Sequence, residues 1–185
     1  MNFDFSKLLE PQRNHVINLV NSLYINGVAF DASETGTGKT YCSAWVAKNF
    51  NSPIVVICPK VVINGWKTVL SEFGIKADVI INYEKLNRGN TPYLSFKNNR
   101  DDGPDDYIFS FPKNSLVIID ESHKCKGWTS KNSDMLIALK KNNYKLLLLS
   151  ATAATNPLEM RSFGFATTLH NLMNYRNFIY DCGAY

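Results

Sequence analysis

The chain has 185 residues, of which 45% are hydrophobic, 19% charged and 12% aromatic, and its formal net charge is +4 at pH 7. This composition is typical of one compact folded domain and excludes the disordered, collagen-like and repeat classes. The modest positive charge is compatible with a polyanionic partner but does not identify one.

The four cysteines form no CxxC pair and have no histidine at zinc-ligand spacing, so the sequence predicts neither a metal site nor a disulfide framework. The N-terminal segment MNFDFSKLLEPQRN is polar and carries acids where a signal peptide needs a basic start and an apolar run. No apolar run is long enough to cross a bilayer. We therefore expect reduced thiols, no membrane association and a cytoplasmic location.

Short apolar runs alternate along the chain with longer segments of helical period, and turn-forming residues separate them, as in βαβ units. Strands are predicted near 28–32, 54–58, 77–81, 115–119 and 145–149. Helices are predicted near 11–25, 39–50, 61–73, 130–141 and 157–172. The pattern predicts an α/β fold with a doubly wound parallel sheet. The charged segment from Asn87 to Pro112 is predicted as a surface excursion that contributes nothing to the core.

A glycine-bearing turn follows the first predicted strand, in the stretch AFDASETGTGKTY. Gly36, Gly38, Lys39 and Thr40 stand between a strand and a helix N-terminus, where backbone N–H groups and the helix dipole attract an anion. The full pattern GxxxxGK[ST] has Ser33 in place of its first glycine. We interpret the turn as a phosphate loop for a nucleoside triphosphate, with Lys39 on the phosphates and Thr40 on Mg2+.

A pair of acids ends the fourth predicted strand, in the stretch SLVIIDESH. Asp120 is placed to hold Mg2+, and Glu121 is placed to orient or deprotonate the attacking water. The competing interpretation is that the two acids only cap the following turn, and the phosphate loop upstream favours the catalytic one. His123 alone does not indicate a function, because a lone histidine is more often a packing residue.

Six stretches stand in a fixed order: LLEPQRNHV, SETGTGKT, VVICPK with NGW, INYEKL, IIDESH and LLLLSATAATNP. Together they resemble the first RecA-like lobe of superfamily 2 helicases and translocases, nearest to the Swi/Snf-like branch of the DEAD/DEAH type with its viral and phage members. The resemblance runs from about Leu8 to Tyr185. It implies a RecA-like lobe that uses ATP and Mg2+, in the host cytoplasm if the protein is viral. Swi/Snf-like members usually carry Asp where this chain has Ser33.

The resemblance also assigns roles around the nucleotide. Gln12 is similar to the glutamine that reads the adenine edge in this superfamily, with Arg13 assisting it. The residues assigned to the nucleotide are Gln12, Arg13, Thr35, Gly36, Thr37, Gly38, Lys39 and Thr40, and those assigned to catalysis are Lys39, Asp120 and Glu121.

The same resemblance assigns Pro59, Lys60, Tyr83 and Lys85 to the grip on a nucleic-acid backbone, with DNA favoured over RNA. The two lysines are also open to the plainer interpretation of solvated surface residues. His123, Ser150 and Thr152 are similar to residues that couple the catalytic acids to that grip. A strand end rich in small residues is the competing explanation for Ser150 and Thr152.

Two tryptophans lie near these motifs. Trp66 shares a helical face with apolar neighbours, so core packing is favoured over base stacking. Trp128 follows a basic pair, and it is predicted either to stack on nucleic acid or to anchor its loop. His170 and Cys182 are predicted to be packing residues and not ligands.

The superfamily's second lobe supplies arginine fingers and the rest of the nucleic-acid track, and nothing in residues 1–185 resembles it. We therefore expect one ATP-binding domain over 1–185 that is a fragment or one part of a split enzyme. The alternative is a regulatory module that binds nucleotide or nucleic acid without hydrolysis, and the intact Asp120–Glu121 pair argues against it. A kinase would leave Gln12 and Pro59 unexplained.

Overall fold

The computed structural model describes residues 4–89, 91–97, 103–152 and 154–183. The first half of the chain alternates strands and helices, and a small hairpin precedes the last two strands of the main sheet. The strands are β1 Val28–Asp31, β2 Ile54–Cys58, β3 Val79–Asn82, β4 Leu94–Phe96, β5 Tyr107–Phe109, β6 Leu116–Asp120 and β7 Lys145–Leu149. The helices are α1 Glu10–Asn26, α2 Lys39–Phe50, α3 Ile63–Glu72, α4 Tyr83–Asn87, α5 Lys131–Lys141, α6 Arg161–Ala166 and α7 Tyr175–Asp181.

The main sheet has five parallel strands in the order β1-β7-β6-β2-β3. Parallel pairing is expected here because the central strands are continuous runs of Ile, Val and Leu, which suit a sheet covered on both faces. The predicted α/β doubly wound sheet is confirmed, and the five predicted strands lie within two residues of the observed ones.

The sheet separates two hydrophobic cores, and alternate residues of each strand enter opposite ones. Ile54 and Val56 of β2 pack with α1, α2 and α3 on one face. Val55 and Ile57 pack with α4, α5, α6 and the β4–β5 hairpin on the other. The strands are therefore rigid, and the segments that leave their carboxyl ends are held in fixed positions along one edge.

The segment between β3 and β6 corrects one prediction. It contains α4 and the antiparallel β4–β5 hairpin, and Leu94, Tyr107 and Phe111 are buried against α5 and the sheet. The segment was predicted to lie outside the core because its acids dominate the composition, but its aromatic residues flank those acids and pack together. The acidic residues Asp101 and Asp102 lie outside the described residues.

The C-terminal region corrects another prediction. A single helix was predicted over 157–172, whereas a short 3₁₀ turn at Pro157–Glu159 precedes α6, which ends at Ala166. Thr168 adopts φ 64° and Leu169 N donates to Gly164 O at 2.8 Å, so the chain turns back there. Helix α7 follows and was not predicted.

Candidate nucleotide site at the carboxyl edge of the sheet

The phosphate loop joins the end of β1 to the start of α2. Gly36 (φ 85°) and Gly38 (φ 87°) take left-handed conformations that favour glycine, and they turn the chain into the N-terminus of α2. Lys39 Nζ donates to Ser33 O at 2.7 Å and to Glu34 O at 2.8 Å, so the loop closes around the ammonium group. A glycine turn that leads into a helix N-terminus and carries a lysine is compatible with the predicted binding of an anion.

Gln12 reaches this loop from α1. Its Nε2 donates to Thr37 O at 2.7 Å, and its Oε1 accepts from Leu9 N at 2.9 Å. A Cβ atom on Gly38 would lie 2.5 Å from Gln12 Nε2, so this approach also requires glycine at position 38. Arg13 is exposed, and its guanidinium lies 6.0 Å from the centre of the Phe5 ring. The adenine contacts assigned to Gln12 and Arg13 stay predictions.

The start of the loop is hydrogen-bonded to a buried acid, a contact that was not predicted from the sequence. Asp31 ends β1 with 0% exposure, and its Oδ1 accepts from both the backbone N–H and the hydroxyl of Ser33. Its Oδ2 lies 3.2 Å from His15 Nε2 of α1, a contact of opposite charges when the imidazole is protonated. Ser33, in place of the first glycine of the pattern, thus ties the loop to β1. The sequence did contain a signal for this contact, because an acid stands at the end of the strand that precedes the loop.

Asp120 and Glu121 lie at the same edge as the loop, because β1 and β6 flank β7 and Asp31, Leu149 and Asp120 are in register. Two strand spacings separate β1 from β6, about 10 Å. Burial raises the pKa of the Asp120 carboxyl above its ordinary value, and the Lys39 ammonium acts weakly in the opposite direction through its field.

The arrangement fits one magnesium ion bound to phosphates. The Thr40 hydroxyl at the start of α2 and the Asp120 carboxylate are hard oxygen groups of the kind that Mg2+ prefers, and they are the residues that could hold it. Within 4–89, 91–97, 103–152 and 154–183, no cluster of three or more His, Cys, Asp or Glu side chains forms a metal cage. Few protein ligands are expected of Mg2+ that takes its remaining ligands from phosphate and water.

Glu121 begins a 3₁₀ turn in the left-handed conformation, with φ 52° and ψ 48°. A non-glycine residue pays about 1–3 kcal/mol for such a conformation, and strain of this size is common at functional sites. His123 Nδ1 lies 3.1 Å from Glu121 Oε2 and 3.3 Å from Ser150 Oγ, and Ser150 Oγ donates to Thr152 O at 3.1 Å. The residues predicted to couple the catalytic acids to the grip are thus in contact with one another and with Glu121.

The predicted nucleic-acid contacts lie beside this site, after β2 and β3. Lys60 and Lys85 are exposed and Pro59 is half-buried. The prediction that Tyr83 contacts nucleic acid is wrong. Tyr83 is 2% exposed and its hydroxyl donates to Asp120 O at 2.6 Å, so its ring is not available to nucleic acid. The sequence pattern located the turn after β3, but it did not show that Tyr83 faces inward.

Trp66 packs in the core as predicted, with 1% exposure. Its indole Nε1 also donates to Asp120 Oδ2 at 2.8 Å, a contact that sequence reasoning missed. Trp128 is half-exposed and its ring lies 4.9 Å from that of Tyr175.

His170 packs between Tyr175 and Phe178, which confirms its predicted role. Cys182 is exposed, so its prediction as a packing residue is wrong. No helix within the described ranges is both long enough and apolar enough to cross a bilayer.

A single RecA-like sheet with a phosphate loop after β1 and an Asp-Glu-x-His turn after β6 defines the ATP-binding lobe of superfamily 2 helicases. Residues 6–155 match the family described as "Type III restriction enzyme, res subunit", and the chain belongs to that family. It is 32% identical over 195 aligned positions to "Putative ATP-dependent RNA helicase L364" of Acanthamoeba polyphaga mimivirus. That alignment covers 94% of this chain and 36% of the viral protein, so the chain spans about a third of its relative's length.

Proposed function

We propose that this chain is the ATP-hydrolysing lobe of a motor that moves on nucleic acid. The observation that carries the proposal is that the phosphate loop and the Asp120–Glu121 turn leave the same edge of the sheet, with Asp31, Leu149 and Asp120 in register. A triphosphate held by the loop would present its terminal phosphate toward the acids.

Each residue then has a separate task. The backbone N–H groups of the loop and Lys39 neutralise phosphate charge, and Gln12 holds the loop from α1 while it reads the adenine edge. Thr40 and Asp120 are the protein ligands of Mg2+, which supplies charge neutralisation for phosphoryl transfer. Glu121 orients the attacking water and accepts its proton.

The nucleic-acid grip is proposed at the turns after β2 and β3. Pro59 precedes the turn that begins with Lys60, and Lys85 lies in α4. These two segments follow adjacent strands, whose ends are paired at Cys58 and Asn82. Lysines in such positions bind phosphates without reading sequence. The name of the viral relative mentions RNA, whereas the Swi/Snf-like resemblance favours DNA. We propose DNA as the preferred partner, and the experiment below also tests RNA.

We further propose that a second RecA-like lobe completes the motor, with the enzyme in a reducing cytoplasm. A missing arginine finger costs about 10³–10⁵ in rate in related phosphate chemistry. The 185-residue chain is therefore expected to bind Mg-ATP and to hydrolyse it slowly.

The test is a titration of ATP and GTP against this chain, with and without single-stranded and duplex DNA and RNA. We expect Mg2+-dependent binding with ATP preferred, and a loss of affinity of at least about tenfold in Lys39→Ala, since hydrogen bonds to charged groups are worth about 1.5–3 kcal/mol. Lys48→Ala, on the same helix but at its far end, is the control. Binding that is unchanged in Lys39→Ala would refute the nucleotide site. Nucleotide binding with no hydrolysis, even in the presence of the proposed second lobe, would support the regulatory module instead.

A further inference from the structure

The orientation of the Asp120 carboxylate is fixed by one group from α3 and by the N–H of the next residue. Trp66 Nε1 of α3 donates to Oδ2 at 2.8 Å, and the backbone N–H of Glu121 donates to Oδ1 at 2.9 Å. With one hydrogen bond on each oxygen, the plane of the carboxylate is determined, and lone pairs remain for a further ligand.

The chemistry of the indole donor suits this task. An indole N–H is neutral and has no acceptor capacity, so it orients the carboxylate without cancelling its charge. A lysine or arginine at the same position would form an ion pair and compete with a metal ion. Trp66 is itself immobile, because it is 1% exposed within the core formed with Val69, Leu70 and Phe73.

The main chain of Asp120 is held from a second direction. Tyr83 begins α4 directly after β3, and its hydroxyl donates to Asp120 O at 2.6 Å. Since β2 lies between β3 and β6 in the sheet, this bond crosses one intervening strand. Asn82, the residue before it, caps α4 by accepting from Lys85 N at 2.7 Å, which fixes the turn that carries Tyr83.

We propose that Trp66 and Tyr83 are positioning residues that hold Asp120 in place for Mg2+ and join it to the two turns of the nucleic-acid grip. Lys60 lies in the turn that leads into α3, and Lys85 lies within α4. Phosphates bound at either lysine would therefore contact a segment that is joined to Asp120 through Trp66 or Tyr83. This inference rests on the proposed function, because it requires Asp120 to be a magnesium ligand.

The first experiment measures the Mg2+ dependence of binding of a slowly hydrolysed fluorescent ATP analogue to this chain. Trp66→Phe and Tyr83→Phe keep the rings and remove the donors. We expect the half-saturating Mg2+ concentration to rise about tenfold in Trp66→Phe, the usual cost of losing a partner of a metal ligand. A smaller rise of about threefold is expected in Tyr83→Phe, because its bond reaches only the main chain. Analogue affinity in EDTA should not change.

Two matched controls are present in the chain. Trp45 is also 1% exposed, and its Nε1 donates to Asp4 O at 2.6 Å, away from Asp120. Tyr107 is 3% exposed, and its hydroxyl donates to Lys131 O at 3.1 Å. Trp45→Phe and Tyr107→Phe should leave the Mg2+ dependence within twofold of the wild type.

A second measurement needs no substitution at Trp66. In the ¹⁵N-labelled wild-type chain, the three indole N–H resonances are assigned by elimination with Trp45→Phe and Trp128→Phe. We expect Mg2+ with the analogue to move the Trp66 resonance while that of Trp45 stays in place. Addition of an oligonucleotide alone, with binding followed by anisotropy, should also move the Trp66 resonance.

The outcomes separate the two proposals. If wild-type binding depends on Mg2+ and Asp120→Asn abolishes that dependence, while Trp66→Phe leaves it unchanged and the Trp66 resonance does not move, the positioning role is refuted and the proposed function stands. If wild-type binding shows no dependence on Mg2+, the proposed function fails and this inference fails with it. An oligonucleotide that binds without moving the Trp66 resonance refutes the link to the grip.

Discussion

The carboxyl edge of the main sheet and the β4–β5 hairpin are both well packed, but they are built from different interactions. At the edge, Asp31 and Asp120 are held by neutral donors and by a histidine. In and directly after the hairpin, the rings of Phe96, Tyr107, Phe109 and Phe111 contact one another and Tyr144, mostly edge-to-face. Burying acids costs stability, whereas burying aromatic rings provides it. The comparison indicates that the edge serves function and that the hairpin serves stability.

The largest expected effect belongs to the edge. In the presence of the proposed second lobe, Glu121→Gln should lower the rate of ATP hydrolysis by about 10²–10⁴, because the proposed general base is lost. ATP affinity should stay within twofold, since the amide keeps the shape of the side chain. Phosphate release measures the rate and a binding titration measures the affinity. Glu72→Gln, at the end of α3, is the control, and a wild-type rate in Glu121→Gln would remove Glu121 from the mechanism.

The hairpin should respond in the opposite way. Leu94 is 1% exposed, and Leu94→Ala should lower the free energy of unfolding by about 3 kcal/mol through lost burial and a cavity. ATP affinity of the folded chain should not change. Ile108 in the facing strand is 43% exposed, so Ile108→Ala should change stability by less than about 0.5 kcal/mol. Urea unfolding measures both, and a loss of nucleotide binding in folded Leu94→Ala would break the comparison.

A smaller effect is expected at the contact between α1 and the loop. His15→Ala should lower ATP affinity about fivefold, equivalent to about 1 kcal/mol, because Asp31 loses the group that faces its second oxygen. Isothermal titration calorimetry measures it, with Asn18→Ala on the exposed side of α1 as the control. Equal affinities in the two variants would show that His15 does not support the loop.

The smallest effect concerns stability at the edge. Because burial raises the pKa of Asp120, its ionised form destabilises the folded state once the pH exceeds the ordinary carboxyl pKa. Asp120→Asn leaves one of the two N–H donors at this side chain without an acceptor at every pH. Relative to the wild type, however, its free energy of unfolding should rise between acid pH and pH 7.5, while Mg2+-dependent binding is lost. The gain should shrink as the pH falls and the wild-type carboxyl becomes protonated. Thermal unfolding at several pH values measures it, and a gain that grows toward acid would contradict this account.

The sequence predicted the main sheet well because its strands are unbroken apolar runs, and it predicted the phosphate loop because the glycines and Lys39 are consecutive. It did not predict the contacts that join distant segments. The bond from Trp66 to Asp120 connects residues 54 positions apart. The helical periodicity that places Trp66 in the core does not predict the partner of its N–H group. Tyr83 was misassigned for a related reason: its neighbour Lys85 is exposed, and one helical turn carries both inward and outward residues.

The parallel order of the sheet has a consequence for how the protein can be assayed. Residues that meet at the carboxyl edge come from positions 12 to 152, and only the assembled five-stranded sheet brings them together. A chain in which a central strand is unpaired lacks the complete binding site, so the ligand is expected to bind only the fully folded molecule. Saturating Mg-ATP at about 100 times its dissociation constant should add about 2.7 kcal/mol against unfolding. Resistance to a protease is thus a direct readout of occupancy, without a labelled nucleotide.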